Sequence, residues 1–395
     1  MKPLENIKIL DLTRVLAGPF STMILSDLGA EVVKIEVPLT GDDSRAFGPF
    51  KNNKSMYFLS INRGKKSVSI NLKSEKGKKI LLDLVEKFDV IIENFKPGTM
   101  EKLGLGYDVI KEINPKIIYA ASSGFGHTGP DSKKPAYDIL VQAMGGVMSI
   151  TGWPDSPPTR VGMSLGDITA SFYTGLGILA ALYQRTITGL GQKIDVAMLD
   201  CQLSILENAL LRFQVDGVPP KPIGNRHPTI TPFQAFQAKD NYFVIGVGND
   251  SIFVKLCHAI SREDLLLDER FKTNSSRTKY LTEIVNILNN VFLTKNVDEW
   301  MTILENAQVP CAPINTIDKV MENRQLKARN MIVEVEDKVI GKVKIAGNPI
   351  KMTSIPEQTT RKPAPEIGEH NIEILSSLLN MSEHEINKLK EEGVL

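Results

Sequence analysis

The chain predicts an α/β fold with a mostly parallel sheet, on three observations. Short β-branched runs alternate with helix-period segments through the first 125 residues. The order is βαβ, in which each crossover lays a helix on a face of the sheet, so both faces are covered. With 395 residues, 42% of them hydrophobic, the chain can fill two or more cores.

In order, Ile7 to Leu12 reads as a strand, Ser21 to Leu28 as a helix, and Glu31 to Glu36 and Ser67 to Leu72 as further strands. Glu75 to Phe88 places Ile80, Leu81, Leu84 and Val85 at helical spacing, and Asp89 to Glu93 and Ile117 to Ala121 return to strand. A long apolar stretch, Phe172 to Tyr183, continues a helix opened near Asp167 and broken at Thr188-Gly189-Leu190-Gly191-Gln192; Ile194 to Leu211 reads as strand then helix. After the linker signature Gly217-Val218-Pro219-Pro220-Lys221-Pro222 a second unit begins near Gly224. It carries a hairpin (Phe233 to Phe236, Tyr242 to Gly248) and helices over Ile252 to Ile260, Leu281 to Val291 and Val297 to Asn306. A helix near Ile317 to Arg329, strands around Ile332 to Val335 and Val343 to Ile345, and helices over Asn371 to Leu379 and Ser382 to Glu392 complete the chain; the last opens on a Ser382…Glu385 capping box.

Composition excludes several classes. Lys and Arg number 47 against 46 Asp and Glu, a formal charge of +1, so charge gives no reason to expect a nucleic-acid or membrane partner. Cys201, Cys257 and Cys311 are far apart in apolar settings and read as small buried hydrophobes of a reducing compartment. Five scattered histidines without paired spacing argue against a metal: His127 reads as a solvated loop residue, His258 as core, and His370 and His384 as polar tail. The first residues lead at once into a strand without a signal peptide, and no apolar run is expected to reach membrane-spanning length, so a soluble cytoplasmic protein is the expectation.

Parallel sheets present ligand sites at the carboxyl ends of their strands. The turn after the first strand, Thr13-Arg14-Val15-Leu16-Ala17-Gly18-Pro19, has one glycine where a dinucleotide fingerprint needs three; Glu36 fits the ribose acid, but NAD is disfavoured. Asn94, Phe95 and Lys96 join an amide, an aromatic ring and a cation at a strand end, which suits an adenine ring and phosphates or is simply turn chemistry. Ser122-Ser123-Gly124-Phe125-Gly126 is a further close-approach turn. Asp167, in Ser164-Leu165-Gly166-Asp167-Ile168-Thr169, admits two readings: a helix N-cap, or a carboxylate kept ionised by the helix dipole and able to act as a nucleophile.

Seven segments in order resemble the class III coenzyme A transferases, the group that includes formyl-CoA transferase and, as a catalytic cousin, α-methylacyl-CoA racemase. They are Asp11-Leu12-Thr13-Arg14-Val15-Leu16-Ala17-Gly18-Pro19, Asp27 to Glu36, Glu93-Asn94-Phe95-Lys96-Pro97-Gly98, Ser123-Gly124-Phe125-Gly126, Gly166-Asp167, Thr188 to Gln192 and Gly224-Asn225-Arg226-His227-Pro228. The resemblance implies that Asp167 carries the acyl group, with a CoA thioester as substrate, a carboxylic acid as acceptor and no permanently bound cofactor. It implies CoA contacts from Val15, Leu16, Ala17, Ile70, Asn71, Lys73, Asn94, Phe95, Lys96, Lys102 and Gly124, with Tyr137, Leu16 and His227 about the acyl group; His227 alternatively braces its own turn. An arginine common after the second strand is Val37 here, and Arg63, Lys65 or Lys66 is expected to replace it.

The racemases of this group use a histidine where Tyr137 stands. A phenol with a pKa of about 10 is a poor base at neutral pH, which favours transfer over the alternatives, epimerisation of a 2-methylacyl-CoA or non-catalytic acyl-CoA binding. The poly-glycine loop of formyl-CoA transferase is absent, so formate and oxalate are not expected substrates. By resemblance, a large Rossmann-like domain is built from both chain ends (1–200 and 317–395), a linker spans 201–223, a small α+β domain spans 224–316, and two subunits interlock as a homodimer.

Overall fold

The computed structural model describes residues 2–395. Six parallel strands form the large sheet: β1 (Lys8–Asp11), β2 (Glu31–Glu36), β3 (Lys66–Ser69), β4 (Val90–Glu93), β5 (Ile118–Ser123) and β6 (Lys193–Ala197). Their spatial order is β3-β2-β1-β4-β5-β6, with registers such as Leu10 beside Val33 and Ile91, and Ala120 beside Ile194. The order reverses between β1 and β4, and such a switch point opens a crevice at the carboxyl ends of the strands.

Helices α1 (Ala17–Asp27) and α2 (Leu165–Thr188) cover one face, where Ile9, Val32, Val90, Ile118, Leu25, Ile178 and Ala181 pack in one core. On the other face α3 (Glu75–Val85) and the two last helices, α4 (Asn371–Leu379) and α5 (Glu383–Glu391), enclose Leu10, Val33, Ile91, Leu81, Leu84, Leu375 and Ile386. Strands buried on both faces become the near-continuous apolar runs that the sequence displays. Ser382 caps α5 in the expected capping box with Glu385.

Helix α2 corrects one expectation. Its 24 residues are long and apolar enough, by length and composition, to cross a bilayer. Ala170, Thr174, Ile178, Ala181 and Leu182 on one side are nonetheless buried, as in a core helix of a sheet protein.

The chain divides into two compact units, Met1–Met148 with Arg160–Gly217 and Arg324–Leu395, and Ser149–Thr159 with Val218–Asn323. The first departure of the chain is therefore an 11-residue excursion at 149–159, invisible to composition. The segment expected as linker from residue 201 is largely helical (Met198–Ser204 and Ala209–Asp216), and the crossing falls at Gly217, whose φ of +68° only glycine adopts readily. The second unit has a three-stranded antiparallel sheet, Phe233–Gln237, Tyr242–Gly246 and Cys311–Pro313, over an aromatic core in which Phe292 meets Phe236, Phe243 and Trp300 at 5.0–5.2 Å. Cys311–Pro313 escaped the sequence reading because prolines flank and end it, a pattern confined to sheet edges. The expected single helix at Ile317 to Arg329 is two, Ile317–Glu322 and Arg324–Ala328, broken at the extended Asn323.

Candidate active site

The turn after β1 is held from below by buried ions. Lys65 Nζ donates to Asp11 Oδ2 (2.9 Å), to the Asn62 amide oxygen and to the Pro19 carbonyl. Lys34 Nζ pairs with Asp42 (2.8 Å) and donates to the Thr13 carbonyl (2.6 Å). Burial alone would raise the Asp11 carboxyl, but Lys65, Lys34 and the hydroxyls of Thr13 and Thr22 hold it well below the usual carboxylate range. Burial likewise draws the Lys65 ammonium down to about 8. Such a cluster survives burial only because each charge has a partner.

What the cluster fixes is an unusual backbone. Val15 has φ +64°, a left-handed conformation that a β-branched residue adopts only under constraint. Its N–H donates to Asp42 Oδ1 (3.1 Å), and Asp42 is itself fixed by Lys34 and Ser44. At the switch point the Asn94 side chain accepts from Arg14 N–H (2.8 Å) and donates to Arg14 C=O (2.8 Å), tying the β1 and β4 turns together. Further along, the Ala17 carbonyl accepts from Ser171 Oγ (2.5 Å) on α2, so the same turn reaches the helix that carries Asp167.

Asp167 occupies the first turn of α2, and Ser164 takes the N-cap position, which removes the cap reading of Asp167. Its carboxylate is partly buried and receives no hydrogen bond among the described residues. The neighbouring acid, Asp138, binds the helix start instead. Asp138 Oδ1 accepts from Gly166 N–H (2.8 Å), and Oδ2 from Gln142 (2.8 Å) and Arg160 (3.0 Å). A Cβ on Gly166 would lie 2.6 Å from Val141 Cγ2, so this close approach requires glycine. The expectation that the dipole keeps Asp167 ionised is therefore corrected. Burial, with the Asp138 charge second, pushes its carboxyl up to about 7.

Tyr57, on the helix Met56–Asn62, is a residue that sequence reading missed. Burial, and then the charges of Asp167, Asp42 and Asp138, push its hydroxyl up to about 12, so it stays neutral. Nothing local marks it; only the fold brings 57 and 167 together.

A cavity of about 770 Å³ opens at the ends of β1, β2 and β3. Ile35, Ile70, Leu72, Phe95 and Leu103 supply its apolar wall, and Arg14, Lys73 and Lys390 its cations. A family model described as CoA-transferase family III matches residues 4–371. The chain belongs to CoA-transferase family III. Acetyl-CoA:oxalate CoA-transferase of Acetobacter aceti is 43% identical over 368 residues, 93% of either chain. Succinyl-CoA:glutarate CoA-transferase of Mus musculus is 39% identical over 396 residues, 100% of this chain and 91% of that one. A crystal structure of a CaiB/BaiF family protein from Brucella suis superposes with a TM-score of 0.84 at 37% identity, covering 95% of this chain and 99% of that one. The chain is thus a CoA-transferase, and the mixed α/β fold with a large parallel sheet is that of its CaiB/BaiF neighbours.

Of the residues singled out in this family III transferase, Ile70, Asn71, Lys73 and Phe95 line the cavity, while Val15, Leu16, Ala17 and Asn94 form or brace the turn beside it. Lys96 and Lys102 are exposed and do not line it. Gly124 serves packing, since a Cβ there would fall 2.0 Å from that of Ala136. Tyr137, next in sequence, is 75% exposed and precedes the helix Asp138–Met144. The three candidates to replace an arginine at Val37 are all committed elsewhere. Arg63 is buried in a two-pronged pair with Asp27 (2.5 and 2.8 Å), Lys65 holds Asp11, and Lys66 pairs with Glu31 and Glu373. Glu36 is also engaged, by Arg45, Ser67 and Asp42 N–H, which leaves it no oxygen for a ribose.

The histidines divide differently from expectation. His127 is not solvated: its ring is largely buried, with Nδ1 3.1 Å from Lys193 Nζ and Nε2 3.7 Å from Glu93. The β4 and β5 turns converge there and exclude water, and burial pushes the Glu93 carboxyl up to about 7. His258 is exposed beside Glu263 rather than in the core. His227 lies in the second unit, where Nδ1 accepts from Thr229 N–H (3.2 Å) and the ring leans on Phe233, so the contacts recorded there brace its own turn. No group of three or more His, Cys, Asp or Glu among the described residues could hold a metal.

Proposed function

We propose that this transferase moves coenzyme A from an acyl-CoA to a short dicarboxylic acid through covalent intermediates on Asp167. The observation that carries the reading is a partly buried carboxylate that receives no hydrogen bond among the described residues, at the start of a helix tied to the strained 13–19 turn. An Asp167 oxygen attacks the thioester carbonyl, the C–S bond breaks, and CoA leaves as thiolate with an aspartyl-acyl anhydride left behind. The thiolate attacks the aspartyl carbonyl, releases the donor acid as carboxylate and forms an aspartyl-CoA thioester. The acceptor carboxylate attacks that thioester, expels the thiolate again and gives a second anhydride. Attack of the thiolate on the acceptor's carbonyl forms the new acyl-CoA and frees Asp167. Each step exchanges one activated acyl bond for another, so no nucleotide is consumed, and exclusion of water protects the intermediates.

The acceptor class rests on the relatives, whose names specify oxalate and glutarate. A relative named for oxalate at 43% identity weakens the argument from the missing poly-glycine loop, and oxalate returns to the candidate acids. The apolar wall and cations of the cavity at the ends of β1 to β3 support a coenzyme A site there, with adenine against that wall. A homodimer belongs to the same reading. Phe172, Leu176, Tyr183 and Ile187 form one stripe along α2, 54–73% exposed and opposite its buried face, and so continuous an apolar stripe marks an interaction surface.

Incubation with acyl-CoA donors, without acceptor, followed by mass spectrometry of the intact chain, tests the covalent step. The wild type gains a CoA adduct that maps to Asp167, and Asp167→Asn gains none and loses roughly 10³-fold or more of its turnover. An adduct on another residue, or full turnover of Asp167→Asn, overturns it.

A further inference from the structure

The last helix turn of the chain docks on the turn after β3, and both line the cavity. Gly393, at φ +68°, ends α5, and Asn71 captures the segment that follows: its N–H donates to the Val394 carbonyl (2.8 Å) and its side-chain amide to the Gly393 carbonyl (3.4 Å). Val394 and Leu395 are buried in the core beneath, and Lys76 pairs with Glu392 (2.5 Å) at the rim. Docked this way, α5 presents Lys390 to the cavity that Lys73 also lines.

These two ammonium groups differ from the other cations nearby. Lys34, Lys65 and Lys66 each hold a carboxylate, and Arg14 lies 3.7 Å from Asp43 and over the Phe95 ring. Lys73 and Lys390 make no ion pair or side-chain hydrogen bond from their ammonium groups among the described residues. Val37, which also lines the cavity, brings no charge. A cavity with one apolar wall and two unpaired cations matches a purine nucleotide bearing phosphate.

We propose that Lys390, which lines this cavity together with Lys73, binds a phosphate of the adenosine end of coenzyme A, supplying a charge from the last helix. This rests on the placement of coenzyme A given under Proposed function. The last helix then becomes part of the coenzyme site, and its docking through Asn71 couples coenzyme affinity to the order of the chain's final turn.

Calorimetric titration with coenzyme A and with 3′-dephospho-coenzyme A, alongside acyl-CoA kinetics, tests it. Lys390→Ala raises Kd for coenzyme A, and KM for its thioester, roughly five- to twentyfold with kcat nearly constant. Lys390→Arg restores most of the affinity. Lys388→Ala, which removes the same charge from the same helix outside the cavity, changes neither constant. If the partner is the 3′-phosphate, Lys390→Ala no longer distinguishes the two coenzymes; if it is the pyrophosphate, the variant weakens both equally. Unchanged affinity for both in a folded Lys390→Ala protein overturns the inference and leaves the transferase reading intact. A wild type that binds no coenzyme A overturns the coenzyme placement as well.

Discussion

Asp167 is governed by two opposing influences. A position in the first helical turn favours the carboxylate, while burial and the neighbouring Asp138 favour the acid, and the balance brings its pKa to about 7. In the proposed mechanism only the ionised form attacks. The expected pH profile of kcat/KM therefore rises with pH up to about 7 and levels above it. Replacing Asp138 by Asn removes the second of the two raising causes, so the limb moves to lower pH; a limb that stays in place would show that another group controls it. The type of residue at 167 was legible, because glycine then aspartate before an apolar helix is a marked pattern. Its ionisation was not, since burial and the charge of Asp138, 29 positions away in sequence, set it and only packing brings them to bear.

At the scale of elements, α2 is placed by one backbone contact at its start and one hydroxyl four residues past the aspartate. Gly166 N–H meets Asp138, and Ser171 bridges the Asp167 and Ala17 carbonyls. Gly166→Ala sets two effects against each other. Alanine gains about 1 kcal/mol of helix propensity. Its methyl would meet the fully buried, stiff Val141 side chain at 2.6 Å, and overpacking of that kind costs about 1–3 kcal/mol. The clash wins. Thermal unfolding of Gly166→Ala is expected to shift down, with kcat falling further than KM rises as the helix start is displaced from the 13–19 turn. A variant of unchanged stability and kcat would contradict this account. The strands and long helices were legible within two to four residues because their apolar periods are strong. The excursion at 149–159 and the edge strand Cys311–Pro313 were not, because neither carries a period and both are set by what they pack against.

For the whole molecule, the exposed stripe of α2 is the feature that a single chain leaves unexplained. Helix α2 is apolar on two opposite sides; the sheet covers one, and a second copy of the chain covers the other in the proposed assembly. If the copies are threaded through each other, separation requires unfolding, and the dimer should persist at nanomolar concentration in light scattering or size exclusion. A monomer under those conditions would refute the threading.

The sequence by itself determined the α/β class, the order of the strands along the chain, and the turns that follow them, because local periodicity and glycine placement are written residue by residue. Tertiary structure decided which cations are spent and which are free. Arg63, Lys65 and Lys66 carry the same charge as Lys73 and Lys390, yet the first three are consumed by Asp27, Asp11 and Glu31, while the last two line an open cavity and hold no carboxylate among the described residues. A charge is available to a ligand only when the fold has not already paired it, and pairing is a property of distance in space.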